Sequence, residues 1–402
     1  MITVLWLVHG LLLGAAALLL VPAVVVALQV LAALAPARAP ARKCAAVRPR
    51  TAILVPAHNE EGGLAATLRS LRAQLVPGDR LLVVADNCSD RTADVAAQEG
   101  AEVVERHDPG RRGKGYALDR GIQHLASDPP DVVLIVDADC QVGEAAVTTL
   151  VCSSAASQRP VQALYLMRAP PGAALRARLG EFAWVVRNQA RPLGAHRLGL
   201  PCQLMGTGMA LPWRQIQGAP LASGQIVEDL QLGLDLACAG AAPRFCPDAL
   251  VTSHFPSSAA SLGEQRMRWE HGHLAVLTAQ VPRLLWQAVR QRRVDLAALA
   301  LDLGVPPLAS LVLMLLAVLA AASTVGVASE QWLATKMTLT ALALLGSAVL
   351  AGWWRFGRSV VLLRELLGIP VYLVAKLPIY LRLLLKRRQT DWVRTERDDR
   401  SP

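Results

Sequence analysis

Apolar positions fall along this chain in two rhythms. Residues 4–34 are apolar almost without a break and carry no formal charge, well beyond the roughly 20 residues that a bilayer-spanning helix needs. Two further long runs, about 303–328 and 332–354, predict a helical hairpin joined by the short stretch SEQW. Between these tracts the rhythm shortens. Residues 51–137 alternate apolar runs with amphipathic ones: TAILVPA, then a helix near 62–74; RLLVVAD, then 91–99; AEVVER, then 115–126; and finally DVVLIVD. Strands alternating with helices predict an α/β domain with a doubly wound, mainly parallel sheet. A last apolar stretch, 359–385, is interrupted by Pro370 and Pro378 and carries Arg364, Glu365, Lys376 and Arg382. It reads as an interfacial helix, because a fourth span would export the basic tail.

Charge orients these pieces. The 402-residue chain has a formal net charge of +10. Residues 38–50 contribute +5, 283–293 contribute +4 and 355–402 contribute +6, leaving the rest at −5. The bases therefore flank the apolar tracts, which suits anionic headgroups. No basic n-region precedes residues 4–34, so a cleaved leader is disfavoured. Arg38, Arg42 and Lys43 follow it, and the positive-inside rule puts them in the cytoplasm. The expected order is a spanning helix in 1–37, a cytosolic domain over 50–280, a basic interfacial helix at 281–300, a spanning hairpin at 303–356, and an interfacial helix with a basic tail at 359–402. Aromatics make up 4% and no basic face interleaves them, which argues against nucleic acid as a partner. Seven cysteines without a C-x-x-C pair argue against a disulfide framework or zinc site and for buried thiols.

Polar residues gather where the predicted strands end, the edge at which such sheets bind ligands. HNEE (58–61) follows the first, DNCSD (86–90) the second, GRRGKGYA (110–117) the third and DAD (137–139) the fourth. HNEE also fits a turn whose acids favour a helix N-terminus, and DNCSD also fits an N-cap. The G-K-G lacks the Walker spacing, so P-loop chemistry is disfavoured. DAD is the more specific signal: two carboxylates one residue apart repel unless a cation or donors lie between them. Magnesium or manganese held by one or two carboxylates keeps positions open for phosphates, which turns the cluster into an expectation of a metal-bound nucleotide donor. GTGMAL (206–211) fits either a small-residue loop open to a substrate or a core strand with a bulge. His271 and His273 point apart at i, i+2 on a helix and are not expected to bind metal. In QRMRW, Gln265, Arg268 and Trp269 share one helical face.

Taken in order, PAHNEE, VVADNCSDRT, GKGYAL, VDADC, GTGMAL, VEDLQLGLDLA and QRMRW resemble the family-2 inverting glycosyltransferases with a GT-A domain. The likeness is to the membrane-bound Q-x-x-R-W branch that includes cellulose, chitin and hyaluronan synthases and ceramide glucosyltransferase, and it spans about residues 50–275. The resemblance implies that Asp86 reads uracil, with Ala57 and Glu60 lining the nucleotide pocket. Lys114 matches a lysine near the diphosphate, although GKGYAL departs from the K-A-G form of cellulose synthases. Asp139 matches the metal ligand and Asp137 its partner at the donor. Asp229 matches the general base. Its residue-level alternative is an acid at a helix start beside Glu228. Gln265, Arg268 and Trp269 complete Q-x-x-R-W, with Arg268 on the diphosphate and Gln265, Trp269 and Gly206 toward the acceptor.

These readings together predict an enzyme at the cytosolic face of a bacterial-type inner membrane, passing through it several times. It would move one sugar from a UDP-sugar, with Mg²⁺ or Mn²⁺, to a lipid or lipid-linked acceptor in envelope glycolipid or exopolysaccharide synthesis, with polysaccharide-assembly proteins as candidate partners. Three spans are few to enclose a polymer channel, so a processive synthase working with a partner or as an oligomer is the second expectation. A catalytically silent scaffold of the same fold is the third, against which stand the retained Asp137, Asp139 and Asp229.

Overall fold

The computed structural model describes residues 2–36, 48–222, 227–255 and 259–377, with the backbone alone for 259–271. Arg38, Arg42, Lys43 and the tail beyond Leu377 lie outside the described residues. The chain divides into two compact units: one takes Met1–Pro36, Gly172–Gly199 and His273–Arg388, the other Ala37–Pro171, Leu200–Gly272 and Gln389–Pro402. Gly172–Gly199 falls inside the 50–280 span expected for the cytosolic domain, yet it groups with the helical unit.

The α/β unit begins as the alternation predicts. Strands β1 (Thr51–Ala57), β2 (Arg80–Asp86), β3 (Glu102–Arg106) and β4 (Val132–Ile135) alternate with helices Leu64–Arg72, Thr92–Gln98 and Lys114–Leu125. Pairing is parallel in the order β3-β2-β1-β4, as strands joined by helical crossovers must be. Leu118, Ile122 and Leu125 line one face of the third helix and pack with Leu54, Leu82 and Val84 in one buried cluster, each contributing about 1.5–3 kcal/mol by leaving water. Gly121 permits the approach, since a Cβ there would collide with Leu54.

The second half departs from the expectation of a mainly parallel sheet. Strands β5 (Gln141–Val142), β6 (Val161–Arg168), β7 (Met209–Pro212) and β8 (Arg244–His254) complete an eight-stranded sheet in the order β3-β2-β1-β4-β7-β6-β8-β5. β7 runs antiparallel to both β4 and β6, and β5 antiparallel to β8, so the sheet is mixed. Apolar periodicity marks a strand but not its direction, and β7 reaches its place through a long excursion rather than a single crossover helix. Of the described cysteines, Cys88, Cys140, Cys202, Cys238 and Cys246 are free thiols. Cys152 is disulfide-bonded, against the expectation of thiols throughout.

Among its described residues the helical unit holds three helices long and apolar enough to cross a membrane: Val4–Leu34 (31 residues), Leu308–Ser329 (22) and Leu333–Gly357 (25). Their shared core uses small residues, Ala23, Ala27, Ala341 and Ala348, beside Val26, Val30, Leu311 and Leu345, which lets backbones approach. Helix Arg191–Arg197 comes closest, because a Cβ on Gly194 would strike the Gln29 carbonyl. Beside that contact lies a closed polar network. Arg191 donates to Gln29 Oε1 at 2.8 Å and to Asp302 Oδ1 at 2.7 Å, and Gln29 donates to the same Asp302 oxygen at 2.7 Å.

The basic segment expected as one helix over 281–300 is two. Helix Ala259–Gln291 ends at Arg292, whose φ of 54° is left-handed, and a new helix runs Val294–Leu303. The amides of Arg292 and Arg293 turn back to the carbonyls of Val289 and Ala288, a left-handed helix stop. The described part of 359–385 is a 3₁₀ turn, Leu363–Gly368, running into a short helix, Ile369–Val374.

Candidate active site

The four parallel strands end on one rim, and the loops there are stitched by side chains. Asn59 and Asn87, just past β1 and β2, both adopt left-handed φ (55° and 52°), a conformation asparagine tolerates because its short amide bonds locally. Asn59 Oδ1 accepts from the Ser89 amide at 2.7 Å, and Asn87 Oδ1 accepts from the Asp108 amide at 2.8 Å. Glu60 is anchored through its amide to Thr92 Oγ1 at 2.8 Å, and Ala57 is buried at the end of β1. His58 Nδ1 lies 2.6 Å from the Asp86 carbonyl. A carbonyl only accepts, so this bond puts the ring proton on Nδ1. Asp90 Oδ1 accepts from the Thr92 amide at 3.0 Å, a local turn bond, and the N-cap position of helix Thr92–Gln98 is Arg91, without a side-chain cap.

Asp86 is buried and meets Arg106 at 2.5 Å. The pair follows from register, since Asp86 and Arg106 are partners on parallel strands β2 and β3. The same guanidinium donates to the Arg111 carbonyl at 2.9 Å and lies 5.3 Å from the centre of the Tyr116 ring. Tyr116 stands one turn inside the helix that Lys114 opens. One helix start thus joins the Asp86 end of the rim to the DAD end.

At that second end charges converge. Asp137, Asp139 and Cys140 present ligand atoms within 4.8 Å of one another. Burial, then the charges of Asp139 and Asp137, push the Cys140 thiol well above its ordinary range. The two carboxylates of the group are donors that suit Mg²⁺ or Mn²⁺. His273 is elsewhere: it is buried with Nε2 3.3 Å from the Val305 carbonyl, and the side chain of His271 lies outside the description.

Lys114 Nζ contacts the Asp137 carboxylate, donates to the Gly206 carbonyl at 2.8 Å and lies 4.0 Å from Glu228. Burial opposes its charge, but Asp137 and Glu228, with Asp229 behind them, hold it above the usual lysine range. Glu228 and Asp229 occupy the first turn of helix Glu228–Cys238, where the helix dipole favours anions. Burial and then the neighbouring Asp229 carboxylate push Glu228 up to about 8. Burial also raises Asp229, against the pull of Lys114.

GTGMAL is part loop and part core strand. Met209–Pro212 is core strand β7, while Gly206 and Gly208 form the loop before it with φ of 88° and 65°. A Cβ on Gly206 would sit 3.3 Å from Asp229 Oδ2 and 3.5 Å from Lys114 Nζ, and one on Gly208 would sit 2.6 Å from the Ala163 methyl. Thr207 between them accepts from the Asp137 amide at 3.0 Å. The residues expected at the site thus fall into two groups, Asp86 with its strand-end neighbours Ala57 and Glu60, and Lys114 with Asp137, Gly206 and Asp229. The backbone at Gln265, Arg268 and Trp269 is helical; their side chains lie outside the description. Arg106 and Thr207 were not singled out by sequence. Arg106 has only its place at the end of AEVVER to betray it, because its partner is 20 residues away.

A model described as glycosyltransferase like family 2 matches residues 49–272, more than half of the chain. The chain belongs to this family. It is 28% identical over 256 residues to a probable glycosyltransferase, YdaM, of Bacillus subtilis, a match covering 57% of this chain and 56% of that protein. It is 35% identical over 98 residues to the low-salt glycan biosynthesis hexosyltransferase Agl6 of Haloferax volcanii, covering 23% and 22% respectively. The chain thus spans about half or less of the length of these relatives. Among solved structures, the mannosyltransferase PcManGT from Pyrobaculum calidifontis, in complex with GDP-Man and Mn²⁺, superposes with a TM-score of 0.55 at 16% identity, over 86% of this chain and 97% of that one, which shows a shared fold. This family-2 glycosyltransferase chain has an α/β, GT-A-like domain.

Proposed function

We propose that the enzyme transfers one sugar, with inversion, from a UDP-sugar to a lipid or lipid-linked acceptor at the cytosolic face of a membrane, in envelope glycolipid or exopolysaccharide synthesis. One observation carries this reading. Lys114, Asp137 and Asp229, far apart in sequence, meet around Gly206 in a chain whose described residues also include three helices apolar enough to span a bilayer.

Asp229 takes the proton from the acceptor hydroxyl as that oxygen attacks the anomeric carbon, and the bond to the diphosphate breaks on the opposite face. Burial raises both Glu228 and Asp229, which suits a carboxylate that takes up a proton near neutrality. Lys114 and Arg268 offer charge to the departing diphosphate. Asp137 and Asp139 would hold Mg²⁺ or Mn²⁺, which supplies electrostatic stabilisation of the same leaving group. Asp86 accepts from an imide N–H of the base, with Ala57 and Glu60 lining the pocket, and Gly206, Gln265 and Trp269 receive the acceptor.

The membrane role is supported by side chains that water would not favour. Leu7, Leu11 and Leu18 on the first long helix are largely exposed. So are Trp286 and Val289, among Arg283, Arg290, Arg292 and Arg293, and Leu367 and Val371 further on. Such apolar surface beside bases suits an interface with anionic lipid.

The test combines purified full-length protein with candidate nucleotide sugars and membrane lipids, with and without Mn²⁺ or Mg²⁺. Release of UDP and a product one hexose heavier by mass spectrometry is expected. A ladder of products would replace single transfer by polymerisation, and release of a different nucleotide would overturn the donor.

A further inference from the structure

Lys114 is held from three directions, by Asp137, by the Gly206 carbonyl at 2.8 Å and by Glu228 at 4.0 Å. It is also the first residue of its helix, directly after Gly113 with its φ of 135°. Asp137 belongs in addition to the only group of potential metal ligands among the described residues. One carboxylate thus serves an ammonium and, with Asp139, offers itself to a divalent cation. Two cations at one partly buried carboxylate repel strongly, because the surroundings screen them less than water does. A diphosphate relieves that conflict, since its oxygens accept readily from an ammonium. Magnesium and manganese, for their part, keep coordination positions for phosphate oxygens.

We propose that Lys114 and the divalent cation are alternative partners of Asp137, so that the cation binds weakly until a nucleoside diphosphate arrives and takes the lysine. The proposal rests on the donor site described above and adds an order to its filling. Lys114 is then a positioning residue in the free protein and a diphosphate ligand in the loaded one. By linkage, the factor by which the nucleotide tightens metal binding equals the factor by which metal tightens nucleotide binding.

The experiment is a Mn²⁺ titration of the full chain in detergent micelles, followed by electron paramagnetic resonance, with and without saturating UDP. Wild-type protein should bind Mn²⁺ at least about tenfold more tightly with UDP, within the ordinary range of couplings. Lys114→Met should bind Mn²⁺ about tenfold more tightly than wild type without UDP, and its coupling to UDP should shrink to a few-fold. Lys114→Arg, which keeps the charge, should stay near wild type without UDP. Thermal melts establish that each variant is folded, and Lys114→Gln takes the place of the Met variant if that one is not. A folded neutral variant whose Mn²⁺ affinity without UDP equals or falls below that of wild type overturns the exchange while leaving the donor site standing. Wild-type protein that binds neither Mn²⁺ nor UDP overturns both.

Discussion

The two units bury charge in opposite ways. In the helical unit Arg191, Asp302 and Gln29 form a closed ring of hydrogen bonds in which a guanidinium meets a carboxylate. On the rim of the sheet one ammonium, Lys114, is set against Asp137, Glu228 and Asp229, with Asp139 close by. The ring is balanced within itself and serves to join helices. On the rim four carboxylates crowd one described ammonium, and burial with the neighbouring Asp229 carboxylate raises Glu228. Crowded carboxylates withdrawn from water cost stability unless a cation lies among them. Burial alone does not separate the two clusters, for Arg191 and Glu228 are both withdrawn from water.

The comparison breaks most visibly at the base. Asp229→Asn should lower turnover by about 10²–10⁴-fold with little loss of folding stability, measured as UDP release alongside a thermal melt. Asp139→Ala and Arg268→Ala should each cost about 10²–10³-fold in the same assay. The balanced ring should respond in the other currency. Arg191→Met leaves Asp302 buried without its guanidinium and should destabilise the protein by about 3–5 kcal/mol, while adding Asp302→Leu should recover much of the loss; chemical denaturation of the single and double variants would show it. Equal stability of all three would mean that the ring does not hold the helices.

Glu228 sharpens the contrast through pH. Its carboxyl is raised when folded, so its contribution to stability is fully present below the unfolded value and is lost as pH rises through about 8. Glu228→Gln should therefore melt several degrees above wild type at pH 9 and close to it at pH 5. A difference independent of pH would remove the charge imbalance as its cause. The smallest effect belongs to Thr207. Thr207→Val removes the acceptor of the Asp137 amide and should cost about 1 kcal/mol, together with a few-fold weaker Mn²⁺ binding read by the same resonance titration.

Much of the α/β unit was legible beforehand. The four first strands lie where the sequence predicted them: β1, β2 and β4 are buried on both faces and carry short continuous apolar runs, while the edge strand β3 buries only Val104. The acids of DAD were legible too, as paired charges at the end of a buried strand, whereas those of VED, which also suit a helix start, were singled out by the family resemblance. Arg106 was not, since nothing local marks an arginine whose partner is chosen by the register of another strand. Thr207 escaped for a related reason: its hydroxyl matters only because β7 lies beside β4.

By itself, then, the sequence determined the alternation of strands and helices from residue 51 to 137, the three long apolar helices, and which acids end the strands, because each follows from periodicity or composition within a short window. The tertiary structure alone decided that β7 enters antiparallel and makes the sheet mixed, that Gly172–Gly199 joins the helical unit, and that Lys114 reaches Gly206 across 92 residues of chain. Those outcomes depend on which distant backbones can approach and pair, and neither hydropathy nor local propensity carries that information.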